Sequence, residues 1–246
     1  RADLEELLAE PRRPLVVFIH GNRYAAHEAR SQGLRLARLI AATCPDAGPV
    51  RTLVFSWPSE QQGLLLRDVR AKYDRAHADG HYLAWLLSRV EPDRPVAVVG
   101  YSYGALVGLV ALDDLASAAG AATDWADRPA RTHLVCVVPA CRCDALAPRG
   151  PHREALAGVD RLTLVINSAD HALRFFDCVD RGAGVEALGV TAMPRRWVPA
   201  DVEYSAIDAA GVIGHGHPLP LYLDAPGLAR RITSGAVAGL AGPREE

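Results

Sequence analysis

A serine flanked by glycines is the first feature that suggests chemistry. Gly100-Tyr101-Ser102-Tyr103-Gly104 reads G-x-S-x-G. Such a pattern becomes a nucleophile elbow when a buried strand runs into it and a helix leaves it. Val96–Val99 is a β-branched run and Gly104–Ala119 is apolar at helical length, so both conditions are met. The glycines have a physical reason. A turn this tight strains the serine and brings backbone close on both sides, leaving no room for side chains at 100 and 104. The serine oxygen then projects at the end of the strand, near the positive end of the following helix.

A serine nucleophile needs a base, an acid to orient it and donors for the developing oxyanion. For the donors, the earlier strand Leu15–Ile19 ends in His20-Gly21-Asn22. The backbone N–H of Tyr103, next after the nucleophile, and that of Asn22 are the expected oxyanion hole. Gly21 lets the loop approach closely. His20, at a strand end, is read as a structural, hydrogen-bonded histidine. For the base, the chain order Ser…Asp/Glu…His points to His215-Gly216-His217. His217 is favoured because it lies nearer the closing helix, with His215 as the alternative base. For the acid, Asp170 follows the strand Leu162–Ile166 within Asn167-Ser168-Ala169-Asp170. A helix N-cap is its structural alternative, and Asp144 and Asp177 are rival acids. Tyr24, Trp57, Tyr101 and Tyr103 are candidates to wall an apolar acyl or aromatic pocket, Tyr24 and Trp57 above all as substrate-binding residues, with core packing as the competing role for Tyr101 and Trp57.

Metal chemistry finds little support. His77 and His81 stand four apart, but the segment lacks the glutamate of a metalloprotease helix. Cys141 and Cys143 have no second pair at zinc-ligand spacing. No metal and no organic cofactor is expected.

The elements that must position these residues are legible in outline. Continuous Val/Ile/Leu strands at 15–19, 51–55, 95–99, 132–138 and 162–166 alternate with helical patterns at 27–43, 64–90 and 104–119. The 64–90 pattern is interrupted near Gly80. Residues 202–207 alternate and suggest a last strand; 228–240 suggests a closing helix; 1–10 suggests a short helix stopped by Pro11. Residues 181–194 read as a loop or a short helix. Fully apolar strands separated by helices indicate a mostly parallel sheet covered on both faces.

With FIHGN (18–22), GYSYG (100–104), NSAD (167–170) and GHGH (214–217) in that order, the chain resembles the α/β-hydrolase superfamily. The FSWPS segment (55–59), the helical residues after it and the late GH loop are similar to a poorly characterised group of serine α/β-hydrolases. HGN also occurs in haloalkane dehalogenases, which carry an aspartate at the elbow; Ser102 argues against that chemistry. The resemblance implies an α/β-hydrolase fold and an esterase-like serine triad. Val138 and Leu162 leave only about 20 residues between them, where many relatives insert a helical cap. A single domain over 1–246 without a substantial cap is expected.

Composition agrees with an enzyme of small molecules. The 246 residues carry 27 basic and 29 acidic side chains, a formal net charge of −2, and half are hydrophobic. Disorder is excluded, and there is no basic excess for a nucleic-acid backbone. No apolar run approaches the ~18 residues of a membrane span. Five scattered cysteines do not form a disulfide framework, which points to reduced thiols and a cytoplasmic location. The start at Arg1 leaves export open, and the sequence does not speak to oligomeric state. The expected partner is a small, neutral, apolar carboxylic ester or thioester. An acyltransferase using the same triad, and a non-catalytic binding protein on the same fold, are the alternatives.

Overall fold

Six strands pair side by side, all parallel, in the order β2-β1-β3-β4-β5-β6. They are β1 (Leu15–Ile19), β2 (Arg51–Phe55), β3 (Val96–Tyr101), β4 (Thr132–Val137), β5 (Arg161–Ile166) and β6 (Glu203–Asp208). The computed structural model describes residue 8 and residues 13–63, 65–117, 125–180 and 184–242. Apart from Leu8, which is helical and buried, the helix expected over residues 1–10 lies outside these.

The registers follow from the apolar runs. Leu15–Ile19 lies against Val96–Gly100 on one side and Arg51–Phe55 on the other. Strands β1, β3 and β4 are buried along their whole length, whereas the edge strands β2 and β6 keep partly exposed positions. A strand buried on both faces has no polar side to show, which is why β1 and β3 read as apolar runs, while β4 opens on the buried polar pair Thr132 and His133 before its apolar run Leu134–Val137.

Helices α1 (Ala26–Thr43), α2 (Leu65–Leu87), α3 (Tyr103–Ser117), α4 (Phe176–Val179), α5 (Ala210–Ile213), α6 (Leu219–Asp224) and α7 (Pro226–Val237) complete the chain. α1 packs with α7, and α2 with α3. Right-handed crossovers put these pairs on opposite faces, because the chain moves leftward from β1 to β2 and rightward from β3 to β4. α2 is unbroken, in contrast to the interruption expected at Gly80. A Cβ there would stand 2.5 Å from the Cβ and Cγ1 of Val110. Gly80 therefore lets α2 lie close on α3, and that packing offsets the ~1 kcal/mol helix cost of a glycine.

Between β4 and β5 the chain makes turns and one short 3-10 segment, Arg153–Leu156, with no inserted cap. The longer excursion lies between β5 and β6. It carries α4, two short 3-10 segments, Leu173–Phe175 and Arg195–Trp197, and, over 184–194, chain without helix in which Ala187 bridges to Arg142. No helix among the described residues is long and apolar enough to cross a membrane.

Candidate active site

Sheet order reverses between β1 and β3, so the loops leaving these two strands diverge and open a crevice at their carboxyl ends. Both motif loops sit there. β3 runs through Tyr101, and α3 begins at Tyr103. Ser102 between them has φ 53°, a left-handed conformation that costs a serine about 1–3 kcal/mol. Backbone bonds hold it: Ser102 N–H donates to Val137 O at 2.9 Å, and Ala140 N–H donates to Ser102 O at 3.1 Å. The flanking glycines are sterically required. A Cβ on Gly104 would stand 2.2 Å from Ile19 O, and one on Gly100 would stand 2.4 Å from Ala105 Cα.

Three side chains from three loops meet at this elbow. His217 Nε2 lies 3.0 Å from Ser102 Oγ, and His217 Nδ1 lies 2.7 Å from Asp170 Oδ2. An ionised carboxylate only accepts, so Nδ1 carries the proton and Nε2 is left to accept from the serine hydroxyl. Asp170 is fully buried. Its second oxygen, Oδ1, accepts from the backbone N–H of Ala172 (2.8 Å) and Leu173 (3.1 Å). The carboxylate thus fills the capping role and faces the imidazole at once.

The other sequence candidates are placed elsewhere. His215 bonds Ala169 O through Nδ1 at 2.9 Å and stacks on the ring of His171, with ring centroids 4.0 Å apart. Asp144 is paired with Arg142, which holds its carboxyl below the usual range. Asp177 accepts from Gly184 N–H. His20 is fully buried; Nδ1 donates to Gly21 O, and Nε2 accepts from Trp57 N–H at 3.2 Å. Burial lowers its pKa, so it stays neutral.

The β1 loop passes close over the elbow. A Cβ on Gly21 would meet the Tyr101 ring at 2.7 Å and Ser102 Cβ at 3.1 Å. Asn22 and Tyr103 both line the cavity in front of Ser102. Among the described residues, neither backbone N–H has a protein acceptor. That of Tyr103 opens α3, where the first turn's N–H groups are unpaired and the dipole favours negative charge.

The cavity has a volume of about 520 Å³ and a mainly apolar wall. Val69 of α2, Tyr101 and Tyr103 of the elbow, Ala140 after β4 and Leu173, Phe176 and Val179 after β5 line it, together with the exposed Leu66 and Phe175. Of the four aromatic candidates, Tyr101 and Tyr103 line this cavity, and Tyr24 and Trp57 are not among its lining residues. Trp57 is buried behind it, stacked on His20 with its indole N–H donating to His20 O at 2.8 Å. Tyr24 stacks on His20 and meets Tyr101 edge-on. His20 thus stacks on both rings, at 8° to Trp57 and 29° to Tyr24.

Tyr101, which the sequence marks as a pocket or core residue, and Asn167, to which it assigns no role, hold the histidine loop. The Tyr101 hydroxyl donates to His217 O at 3.0 Å, and its ring packs against the imidazole. Buried Asn167 aims Nδ2 at Gly214 O (2.9 Å), Gly216 O (3.1 Å) and the Tyr222 hydroxyl (3.0 Å). The pocket wall after β5 did leave a signal: Leu173, Phe176 and Val179 follow Asp170 at spacings of three, the mark of a short amphipathic turn.

A six-stranded parallel sheet with a strand–serine–helix turn at its switch point defines the α/β-hydrolase class. The chain belongs to the family described as alpha/beta hydrolase of unknown function (DUF900), which it matches over residues 1–212. No curated protein matches it. Among solved structures it is similar to a protein described as a hydrolase from Agrobacterium vitis S4, at 14% identity over 94% of this chain and 90% of that one, TM-score 0.48. It is also similar to esterase B from Lactobacillus rhamnosis, at 14% identity over 91% and 75%, TM-score 0.45. A third is Zea mays acyl-protein thioesterase 2, at 15% identity over 91% and 94%, TM-score 0.40.

Proposed function

We propose that the protein is a serine hydrolase that cleaves small carboxylic esters or thioesters through an acyl-enzyme. The observation that carries this reading is the unbroken hydrogen-bonded chain from Ser102 Oγ through His217 to buried Asp170, set at the edge of an apolar cavity.

Each group has a chemical task. Ser102 Oγ attacks the acyl carbon while His217 Nε2 takes its proton. Asp170 keeps the imidazole in the required tautomer and stabilises the imidazolium. The negative charge on the former carbonyl oxygen is met by the N–H groups of Asn22 and Tyr103, which have no other acceptor to give up among the described residues. His217 then gives its proton to the departing alkoxide or thiolate. Water, deprotonated by the same nitrogen, attacks the acyl carbon; the acid leaves and Ser102 regains its proton. The steps balance without a metal or a redox cofactor.

The apolar wall favours acyl groups that gain from burial, at about 0.8 kcal/mol per methylene. The test is hydrolysis of 4-nitrophenyl acetate, butyrate and octanoate by the wild type and by Ser102→Ala. The expected result is turnover that improves from acetate to butyrate and falls by about 10⁴-fold or more in the variant. Equal turnover by Ser102→Ala would overturn the reading.

A further inference from the structure

The cavity wall has an uneven charge. Of the described residues that line it, Arg23 alone carries a permanent charge, and none is a carboxylate. Among the described residues, Arg23 has no acidic side chain within ion-pair distance. A guanidinium beside an otherwise apolar wall of Leu66, Val69 and Phe175 is an unusual neighbour for a neutral ester.

The backbone at this residue is also unusual. Arg23 has φ 62°, a region where glycine or asparagine is at home and a long side chain is strained. Two bonds hold it there: its N–H donates to Ser59 O at 2.8 Å and to Asn22 Oδ1 at 2.9 Å. A glycine would relieve the strain, so this loop keeps an arginine where a simpler residue fits better. Strain of this kind is a pointer to function when it stands at a site.

The place of Arg23 decides which half of the ester it would meet. It directly follows Asn22, on the oxyanion side of Ser102. It lines the same cavity as Leu66, Val69 and Phe175, the apolar wall that the proposed function gives to the acyl chain.

We infer that the preferred substrates are esters whose acyl chain ends in an anionic group, a carboxylate above all, which pairs with Arg23 while the methylenes lie on the apolar wall. This rests on the hydrolase reading above and narrows its substrate class. It revises the expectation of neutral esters drawn from net charge: a chain near zero overall still carries a local field.

Mono-4-nitrophenyl glutarate and 4-nitrophenyl butyrate separate the two levels, since they share a leaving group and differ in the terminal carboxylate. The readout is the ratio of kcat/KM for the anionic to the neutral ester. Arg23 is exposed, and the wild type is expected to favour the glutarate by up to about fivefold at low salt, the size an exposed ion pair allows. That preference should shrink in 0.5 M NaCl. It should vanish in Arg23→Gly, which suits the backbone, and survive in part in Arg23→Lys. If butyrate is turned over and the glutarate is not preferred, or if Arg23→Gly keeps the preference, the inference is wrong while the hydrolase reading stands. If neither ester is turned over by folded protein, both fall.

Discussion

Replacing Asp170 by asparagine changes one atom and reverses the logic of the site. Oδ1 accepts two backbone N–H groups, from Ala172 at 2.8 Å and Leu173 at 3.1 Å. An asparagine must put its carbonyl oxygen there. The opposite orientation would set an NH₂ against two donors and leave both unpaired in a buried place, at about 1–3 kcal/mol each. With the oxygen fixed, the NH₂ takes the place of Oδ2, 2.7 Å from His217 Nδ1. A donor facing Nδ1 drives the imidazole proton to Nε2, which then points at Ser102 and can no longer take its proton. The expected loss in kcat is about 10⁴-fold, or about 5.4 kcal/mol of transition-state stabilisation. Because the turn after β5 keeps both N–H acceptor bonds, unfolding should change by under about 1 kcal/mol, or ~2–4 °C in Tm for a chain this long. Asp170→Ala loses the two bonds as well and should lower Tm further. The assay is 4-nitrophenyl butyrate hydrolysis beside thermal unfolding of the three proteins. A loss under tenfold in well-folded Asp170→Asn would refute the tautomer argument.

Other expectations follow from the supporting bonds and the buried histidines. Asn167→Ala removes the Nδ2 contacts to Gly214, Gly216 and Tyr222; it should lower kcat by about 10- to 100-fold with KM little changed and cost about 1–3 kcal/mol in urea unfolding. An unchanged kcat would show that the loop holds His217 without it. Burial, helped by the charge of Arg161, lowers the His133 pKa to about 4; burial and His77 lower that of His152 to about 4. Both are neutral in the fold. As pH falls from about 6.5 towards 4 the unfolded chain takes up protons that the folded chain refuses, so stability is lost in that window, by up to about 3 kcal/mol per histidine. Urea titrations at pH 7 and 4.5 on wild type and His152→Gln measure this. The variant should lose less on acidification; an equal loss would contradict the buried, neutral state.

The central strands and the serine turn were readable because their causes are local. An unbroken apolar run such as Leu134–Val137 fits a covered parallel strand, and Gly100 and Gly104 mark positions where backbone passes too close for a Cβ. Asp170 was readable for the same reason, as a carboxylate just beyond a strand end. The two histidines of GHGH could not be ranked by spacing with any force, since the outcome depends on Asn167 and Tyr101, far apart in sequence, turning the loop so that His217 faces the elbow. Tyr24 and Trp57 looked like pocket residues for their type. They stack on His20 instead, and for Trp57 no local pattern announces a ring stack across 37 residues. Gly80 misled in the opposite direction, because helix propensity is weak beside the tight contact of α2 with Val110 on α3.

The most direct measurement is reaction of the folded protein with a fluorophosphonate, read by intact mass and then by peptide mapping. The account predicts a single adduct on Ser102, formed quickly in the wild type, nearly absent in His217→Ala and retained in His215→Ala. Failure of the folded wild type to react, an adduct on another serine, or loss of labelling in His215→Ala with retention in His217→Ala would contradict it.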